Sequence, residues 1–539
     1  MNLPIALTRR TLLASTTAAA ALVSAPSLAT AIAMAKAGDP TPVVQTSNGP
    51  VQGLMESGSV YAFKGLRYAA PPVGMLRFRP PQPVTKWTAV VDASDFGNSA
   101  IQTPGPDALK TETHSEDCLF LNVWTNGLDL QKRPVMVWLH GGGYWEGSPD
   151  RPTYYGDHFA RDGVVLVSVT HRLNVFGFAQ LPESWGPDYT SSGLAGILDI
   201  VAALQWVKEN ATQFGGDPDN VTIFGESGGG GKVSLLLGMP PAQGLYHKAI
   251  IQSGAQLDAA PRAYAQALGG ALLDDLGIKP GDVAALAAAD TQAIFKAQDG
   301  AVKKVQDLAV KDGFLQDGFV PSIDGVNLPR GPFTPDATPL SINVPLIVGN
   351  NKDEMALFMV NSPGFGKQTD EDFEKAVRAV YPTKVDQIVA ALRSSYPGYS
   401  PAYLLVAFST ARLFWLNSVI LAERKTAQNA APVYMYLMTH DDPAFGGALK
   451  AAHATELSYV FGTYDSIRFF VGPGPGPAQM AAQMHPAWIA FARSGNPDTG
   501  AIPHWPRYDV HTRATMIFDL ESKVEDDPYS EIRRLMAND

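Results

Sequence analysis

The sequence predicts an α/β protein: a mostly parallel β-sheet flanked by helices. Three observations point there. Short apolar runs rich in β-branched residues recur along the chain without in–out alternation, the pattern of strands buried on both faces. Helical patterns separate these runs, and no linker splits the chain, so strand–helix–strand alternation belongs to one sheet. The runs are residues 135–139, 164–169, 221–224, 249–251, 345–348, 433–437 and 516–518.

Among the helical patterns, residues 194–214 place Leu194, Ile197, Leu198, Val201, Leu204 and Val207 on one face at i, i+3, i+4, i+7 spacing. Residues from about 257 to 318 are alanine-rich and helical, and read as an insertion over the sheet, a cap on the same domain. The alternating Gly472–Pro477 segment reads as a loop, because neither residue type sustains a helix or a ladder.

Composition narrows the class further. With 539 residues, 45% hydrophobic and 17% charged, the chain is globular in make-up and long enough for a large core. A formal net charge of −11 argues against a nucleic-acid surface, which needs a basic face. One cysteine, Cys118, excludes an intramolecular disulfide framework and an all-cysteine zinc site.

Residues 1–35 read as an address label. Arg9-Arg10 precede an apolar, alanine-rich run from Leu12 to Val23, then small residues around Ala29–Ala35 that suit a cleavage site. No acid occurs before Asp39. This is the layout of a bacterial export signal of the twin-arginine type, and the run is too short for a membrane span. The expectation is a protein of residues 36–539, one catalytic domain, in the periplasm or secreted, with no stable span after cleavage; no other stretch reads as one.

The chemistry gathers where strands end. The run at 221–224 enters Gly225-Glu226-Ser227-Gly228-Gly229, a G-x-S-x-G pattern between a strand and a helix. Glycines there permit a turn sharp enough to lift the Ser227 hydroxyl above the sheet edge. A phosphate-loop reading of Gly225 to Ser234 fails: glycine is missing at Glu226 and a hydroxyl at Val233. The run at 135–139 enters His140-Gly141-Gly142-Gly143-Tyr144, whose backbone N–H groups can point at a developing oxyanion; Gly142, Gly143 and Gly228 are the candidate donors.

A serine nucleophile needs a base and the base an orienting carboxylate. His453, in a small-residue loop after the strand at 433–437, is the candidate base. Asp353 and Glu354 both follow the strand at 345–348, and the residues alone leave either acid open. The nearby Glu456 reads as loop structure. Tyr144, Trp145 and Phe176 are candidates to line a substrate pocket, against an equal case for ordinary packing. No metal-binding pattern is found, so no metal or other cofactor is expected.

Together with Phe63–Ala69, Pro71–Gly74, Leu76–Phe78, Ser115–Val123, His171–Phe178, Phe214–Pro218 and Tyr459–Gly462, these motifs resemble the type-B carboxylesterases of the α/β-hydrolase fold. The resemblance spans nearly the whole chain after residue 35. It implies Glu354 as the acid of a Ser227–Glu354–His453 triad and hydrolysis of a small-molecule carboxylic ester through an acyl-enzyme. The runner-up readings are an amide or carbamate hydrolase of the same fold and a silent binding module. Two departures stand out. The family commonly pairs the cysteine at the position of Cys118, and no partner exists here, so a free structural thiol is expected. Four glycines, Gly228 to Gly231, follow Ser227, where alanine is frequent directly after the serine.

Overall fold

The computed structural model describes residues 36–56, 58–105, 108–311 and 318–537; the expected export segment, 1–35, lies outside them. Each of the seven apolar runs falls in one of the strands that lie parallel at the centre of the sheet. Across the sheet their order is Val165–Val169, Arg133–Leu139, Gly216–Glu226, Lys248–Gln252, Leu346–Asn351, Val433–Met438 and Ala514–Phe518. Antiparallel strands extend both flanks: Phe120–Thr125, Tyr61–Arg67 and Leu54–Met55 on one, Lys523–Asp526 on the other. Lys36–Asp539 forms one compact unit.

The central runs lack alternation because both faces are covered. Val135, Val137, Leu139, Val221, Ile223, Ile251 and Val348 pack into one hydrophobic cluster. Their in-between neighbours Met136, Trp138, Phe224, Ile250 and Ile347 pack into a second cluster on the opposite face. Successive side chains of a strand point to opposite faces, so each face recruits every second residue and both must be apolar.

The expected helix at 194–214 is an α-helix, Ala195–Asn210, extended by 3-10 turns at each end. The insertion contains helices Arg262–Asp275, Val283–Ala288 and Thr291–Lys311. Buried Arg77 ties it down, its Nη1 donating to the carbonyls of Leu286 and Ala289 at 2.7 and 3.0 Å. A second helical stretch, 356–426, lies between strands Leu346–Asn351 and Val433–Met438.

Two expectations need correction. The Gly472–Pro477 segment is a loop only to Pro475, because helix Gly476–Ser494 begins inside it. A first turn accepts proline, whose missing N–H would have no partner there anyway. Two helical stretches, Pro187–Phe214 and Pro401–Thr426, are also long and apolar enough to cross a membrane by composition, although none was read from the sequence. Both are mostly buried inside the protein, as core helices are.

The chain leaves strand Arg133–Leu139 for its neighbour on one side, Val165–Val169, and then crosses to the other side, Gly216–Glu226. Such a reversal opens a crevice at the carboxyl ends of the strands, where ligands bind in open α/β sheets.

Candidate active site

Strand Gly216–Glu226 delivers Ser227 to that crevice in a conformation few residues tolerate. Its φ of 56° and ψ of −125° lie outside the ordinary regions for an L-residue. Such backbone strain costs about 1–3 kcal/mol and persists only where the surroundings enforce it. They do so here: Ser227 N donates to Gln252 O at 2.9 Å, and Ser227 O accepts from Gly231 N at 3.0 Å. Helix Gly228–Leu236 starts immediately, so its first N–H groups have no intrahelical acceptor.

The adjacent strand, Arg133–Leu139, ends in His140 and the three glycines. Gly142 and Gly143 have φ of 82° and 63°. Their loop lies directly on the start of the Ser227 helix: a Cβ built on Gly228 would stand 2.1 Å from Gly143 O. Among the described residues, no acceptor takes the backbone N–H of Gly142, Gly143 or Gly228. The three donors expected from the sequence are therefore neighbours, and all are free.

The carboxylate and imidazole meet from the next strands along. Glu354, after Leu346–Asn351, is fully buried, and its Oε2 lies 2.6 Å from His453 Nδ1. Its Oε1 accepts from the Ser253 hydroxyl and from Asn351 N, each at 2.6 Å. A carboxylate can only accept, so this contact places the imidazole proton on Nδ1 and leaves Nε2 as the basic nitrogen. Asp353, the rival acid, points away to Tyr399, whose hydroxyl donates to it at 2.8 Å.

Nε2 of His453 lies 3.2 Å from Glu226 Oε1, an approach of charged groups not aligned as a hydrogen bond. The Ser227 hydroxyl takes part in no hydrogen bond among the described residues. Serine–base bonds are often loose before substrate arrives. The surrounding charges fit a proton held on the ring. Burial works to lower the His453 pKa, but the carboxylates of Glu226, Glu354 and Glu456 raise it to about 9. Burial pushes Glu226 up to about 8 and Glu456 up to about 7. These groups titrate together. Glu456 is more than loop structure: it accepts from Gln252 Nε2 and Asn351 Nδ2 at 3.1 and 2.6 Å, bracing the floor of the site.

The pocket candidates divide. Trp145 is half exposed beside Gly143, where a Cβ on that glycine would meet its ring at 2.7 Å. Tyr144 and Phe176 are buried instead: the hydroxyl of Tyr144 bonds to Gln256 and its ring packs edge-on to Phe178, while Phe176 stacks on Phe78. Tyr144 turns inward from the glycine loop and Phe176 from the short helix Asn174–Phe178, and both do ordinary packing. The aromatic surface at the imidazole comes from Phe358 and Phe414, with ring centroids 5.2 and 5.0 Å from it. Both lie in the stretch 356–426, and the sequence had singled out neither. Ser253 was missed as well, though it follows strand Lys248–Gln252 at the same edge, the signal that found the others. Cys118 is a free, buried thiol, as expected.

The Carboxylesterase family model matches residues 40–534. The chain is 36% identical to para-nitrobenzyl esterase of Bacillus subtilis (strain 168), over 91% of this chain and 98% of that protein. It is 34% identical to liver carboxylesterase of Sus scrofa, over 88% of this chain and 89% of that one. The crystal structure of a Geobacillus stearothermophilus carboxylesterase superimposes with a TM-score of 0.79 at 36% identity, covering 92% of this chain and 100% of that one.

Proposed function

Since this chain belongs to the carboxylesterase family and is a carboxylic ester hydrolase, we propose that it works through an acyl-enzyme on Ser227, with His453 as base and Glu354 as its orienting acid. The observation that carries this reading is the contact of Glu354 Oε2 with His453 Nδ1 at 2.6 Å, which leaves Nε2 as the basic nitrogen, 3.2 Å from Glu226, the residue directly before the strained Ser227. Ser227 Oγ attacks the ester carbonyl as Nε2 takes its proton. The tetrahedral intermediate places its negative oxygen among the N–H groups of Gly142, Gly143 and Gly228. His453 returns the proton to the departing alcohol, the C–O bond breaks, and an acyl group is left on Ser227. Water then attacks that acyl group with His453 again as base, releasing the acid and restoring the serine.

The substrate is a small-molecule ester. The half-exposed Trp145 and Phe358 beside the site support an apolar acyl or alcohol group. The twin-arginine pattern of residues 1–35 supports export in the folded state, with hydrolysis outside the cytoplasm. Arg9→Lys with Arg10→Lys is expected to leave uncleaved precursor in the cytoplasm of the producing cell; unchanged export would refute that localisation.

Intact mass after a fluorophosphonate probe tests the serine. One adduct mapping to Ser227, absent in Ser227→Ala and greatly slowed in His453→Ala, is the expected result. Folded protein that turns over esters without labelling there would remove Ser227 from the mechanism. Matched ester and anilide substrates then separate ester from amide hydrolysis.

A further inference from the structure

Lys232 is fully buried, one turn into the helix that begins after Ser227. Neither the acyl-enzyme mechanism nor the packing of an apolar core needs a lysine there. Its Nζ donates to the carbonyl of His140 at 2.9 Å, and among the described residues this is its only hydrogen-bond acceptor. That carbonyl belongs to the residue that opens the glycine loop. The ammonium also lies 5.8 Å from the ring centroid of Tyr144, which closes the same loop.

The glycines make this contact possible. A Cβ on Gly229 would meet Leu139 O at 2.0 Å and His140 O at 3.0 Å, and one on Gly228 would meet Gly143 O at 2.1 Å. The helix therefore lies backbone to backbone on the end of the neighbouring strand and its loop. The carbonyls of Leu139, His140 and Gly143 thus face the first glycines of the helix. A cation set between the two segments attracts the carbonyl that opens the loop and draws it onto the helix.

We propose that Lys232 is a positioning residue of the oxyanion hole. It fastens the loop carrying the Gly142 and Gly143 N–H groups to the helix carrying that of Gly228, so that three donors from two separate elements converge on one oxygen.

The groups facing Lys232 fit this role. Glu226, at the end of the serine strand, supplies the compensating charge. His140 and His171 stack ring on ring, centroids 4.9 Å apart, and burial with the nearby Lys232 charge holds both well below the usual imidazole pKa. The stacked pair stays neutral, and besides Lys232 and Glu226 the guanidinium groups of Arg151 and Arg172 bear on it. Burial pulls the Lys232 ammonium down to about 7, opposed by Glu226. The fastening is thus strongest when the lysine carries its proton.

The inference rests on the acyl-enzyme reading of the site. The test is Lys232→Met, which fills similar volume with no donor. Active sites are counted by fluorophosphonate titration, and kcat and KM are measured for a p-nitrophenyl ester and its thionoester. Sulfur accepts hydrogen bonds poorly, so the oxo-to-thiono rate ratio reports the hole itself. The expected result is a kcat per titrated site lowered about 10- to 100-fold, as small misplacements of catalytic groups produce. KM should stay within about two-fold, since the hole acts on the transition state. The oxo-to-thiono ratio should shrink. If the Met variant fails to fold, Lys232→Gln is read the same way, because its amide is one bond too short to reach the carbonyl. An unchanged kcat per site, a loss confined to KM, or an unchanged ratio would overturn the proposal. Absence of turnover and labelling in the wild-type protein would instead overturn the acyl-enzyme reading beneath it.

Discussion

The two sides of the site are held by opposite means. On the acid side, one buried side chain is gripped from two directions: the Ser253 hydroxyl and the Asn351 backbone N–H donate to one oxygen of Glu354, and the other oxygen holds His453 Nδ1. On the serine side, the backbone does the work. Ser227 sits at φ 56°, three N–H groups have no internal partner, and glycines let a helix and a loop touch. The difference follows from the tasks. An imidazole must keep one tautomer through proton transfer in both directions, which needs directed hydrogen bonds. An oxyanion exists only briefly, so its donors must stand free and fixed beforehand, and backbone amides do this without reorganising.

Chemistry on the acid side should therefore be the most sensitive to a change of a single atom. Glu354→Gln keeps shape but places an NH₂ where an acceptor is needed. Turned toward Ser253 and Asn351 it meets donors; turned toward Nδ1 it forces the imidazole proton onto Nε2, and the base is lost. The kcat is expected to fall about 10⁴-fold with little change in KM. A loss under ten-fold would mean that the acid side is not locked in this way.

Sterics should rule the serine side. Gly229→Ala adds a Cβ that would stand 2.0 Å from Leu139 O, so the helix start and the loop must part and the donors with them. The kcat should fall about 10²- to 10³-fold, the cost of losing one oxyanion donor. Unchanged steady-state kinetics with full fluorophosphonate reactivity would instead show that the loop yields without penalty.

Glu226 belongs to both sides, ending the serine strand yet facing the imidazole. Its carboxylate helps raise the pKa of His453 to about 9 against burial. With Glu226→Gln the ring gives up its proton more readily, so the neutral base persists to lower pH. The acidic limb of the pH profile of kcat/KM should move down by about one unit. A limb that stays or moves up would assign the raised imidazole pKa to Glu354 and Glu456 without Glu226.

The smallest effect is expected at the rim. Phe358→Ala removes a half-exposed ring that covers one face of His453. For apolar esters KM should rise about 3- to 10-fold, in keeping with a partly buried aromatic contact. An effect on kcat instead would make Phe358 a support of the imidazole.

What the sequence revealed follows the same division. The seven parallel strands were legible because burial on both faces makes each a continuous apolar run. The antiparallel flanks were not: Phe63-Lys64-Gly65 alternates poorly across a register shift, and Lys523–Asp526 is a polar edge. Ser227, His453 and the glycines were legible because backbone demands narrow the residue choice at turns. Ser253, Phe358 and Phe414 were not, since serine and phenylalanine suit many places and only the fold brings them to the site. Tyr144 and Phe176 stayed open between pocket and packing for the same reason: an aromatic beside a motif can turn inward as easily as outward.

The central claim is a covalent acyl-Ser227. It is tested most directly by acid quench of the wild-type enzyme during turnover of an excess of a slowly hydrolysed p-nitrophenyl ester, followed by intact mass and peptide mapping. The account predicts a mass increment equal to the acyl group, on the peptide containing Ser227, and a p-nitrophenol burst matching the titrated sites. Turnover with no acylated protein at any quench time, or an acyl group on another residue, would contradict it.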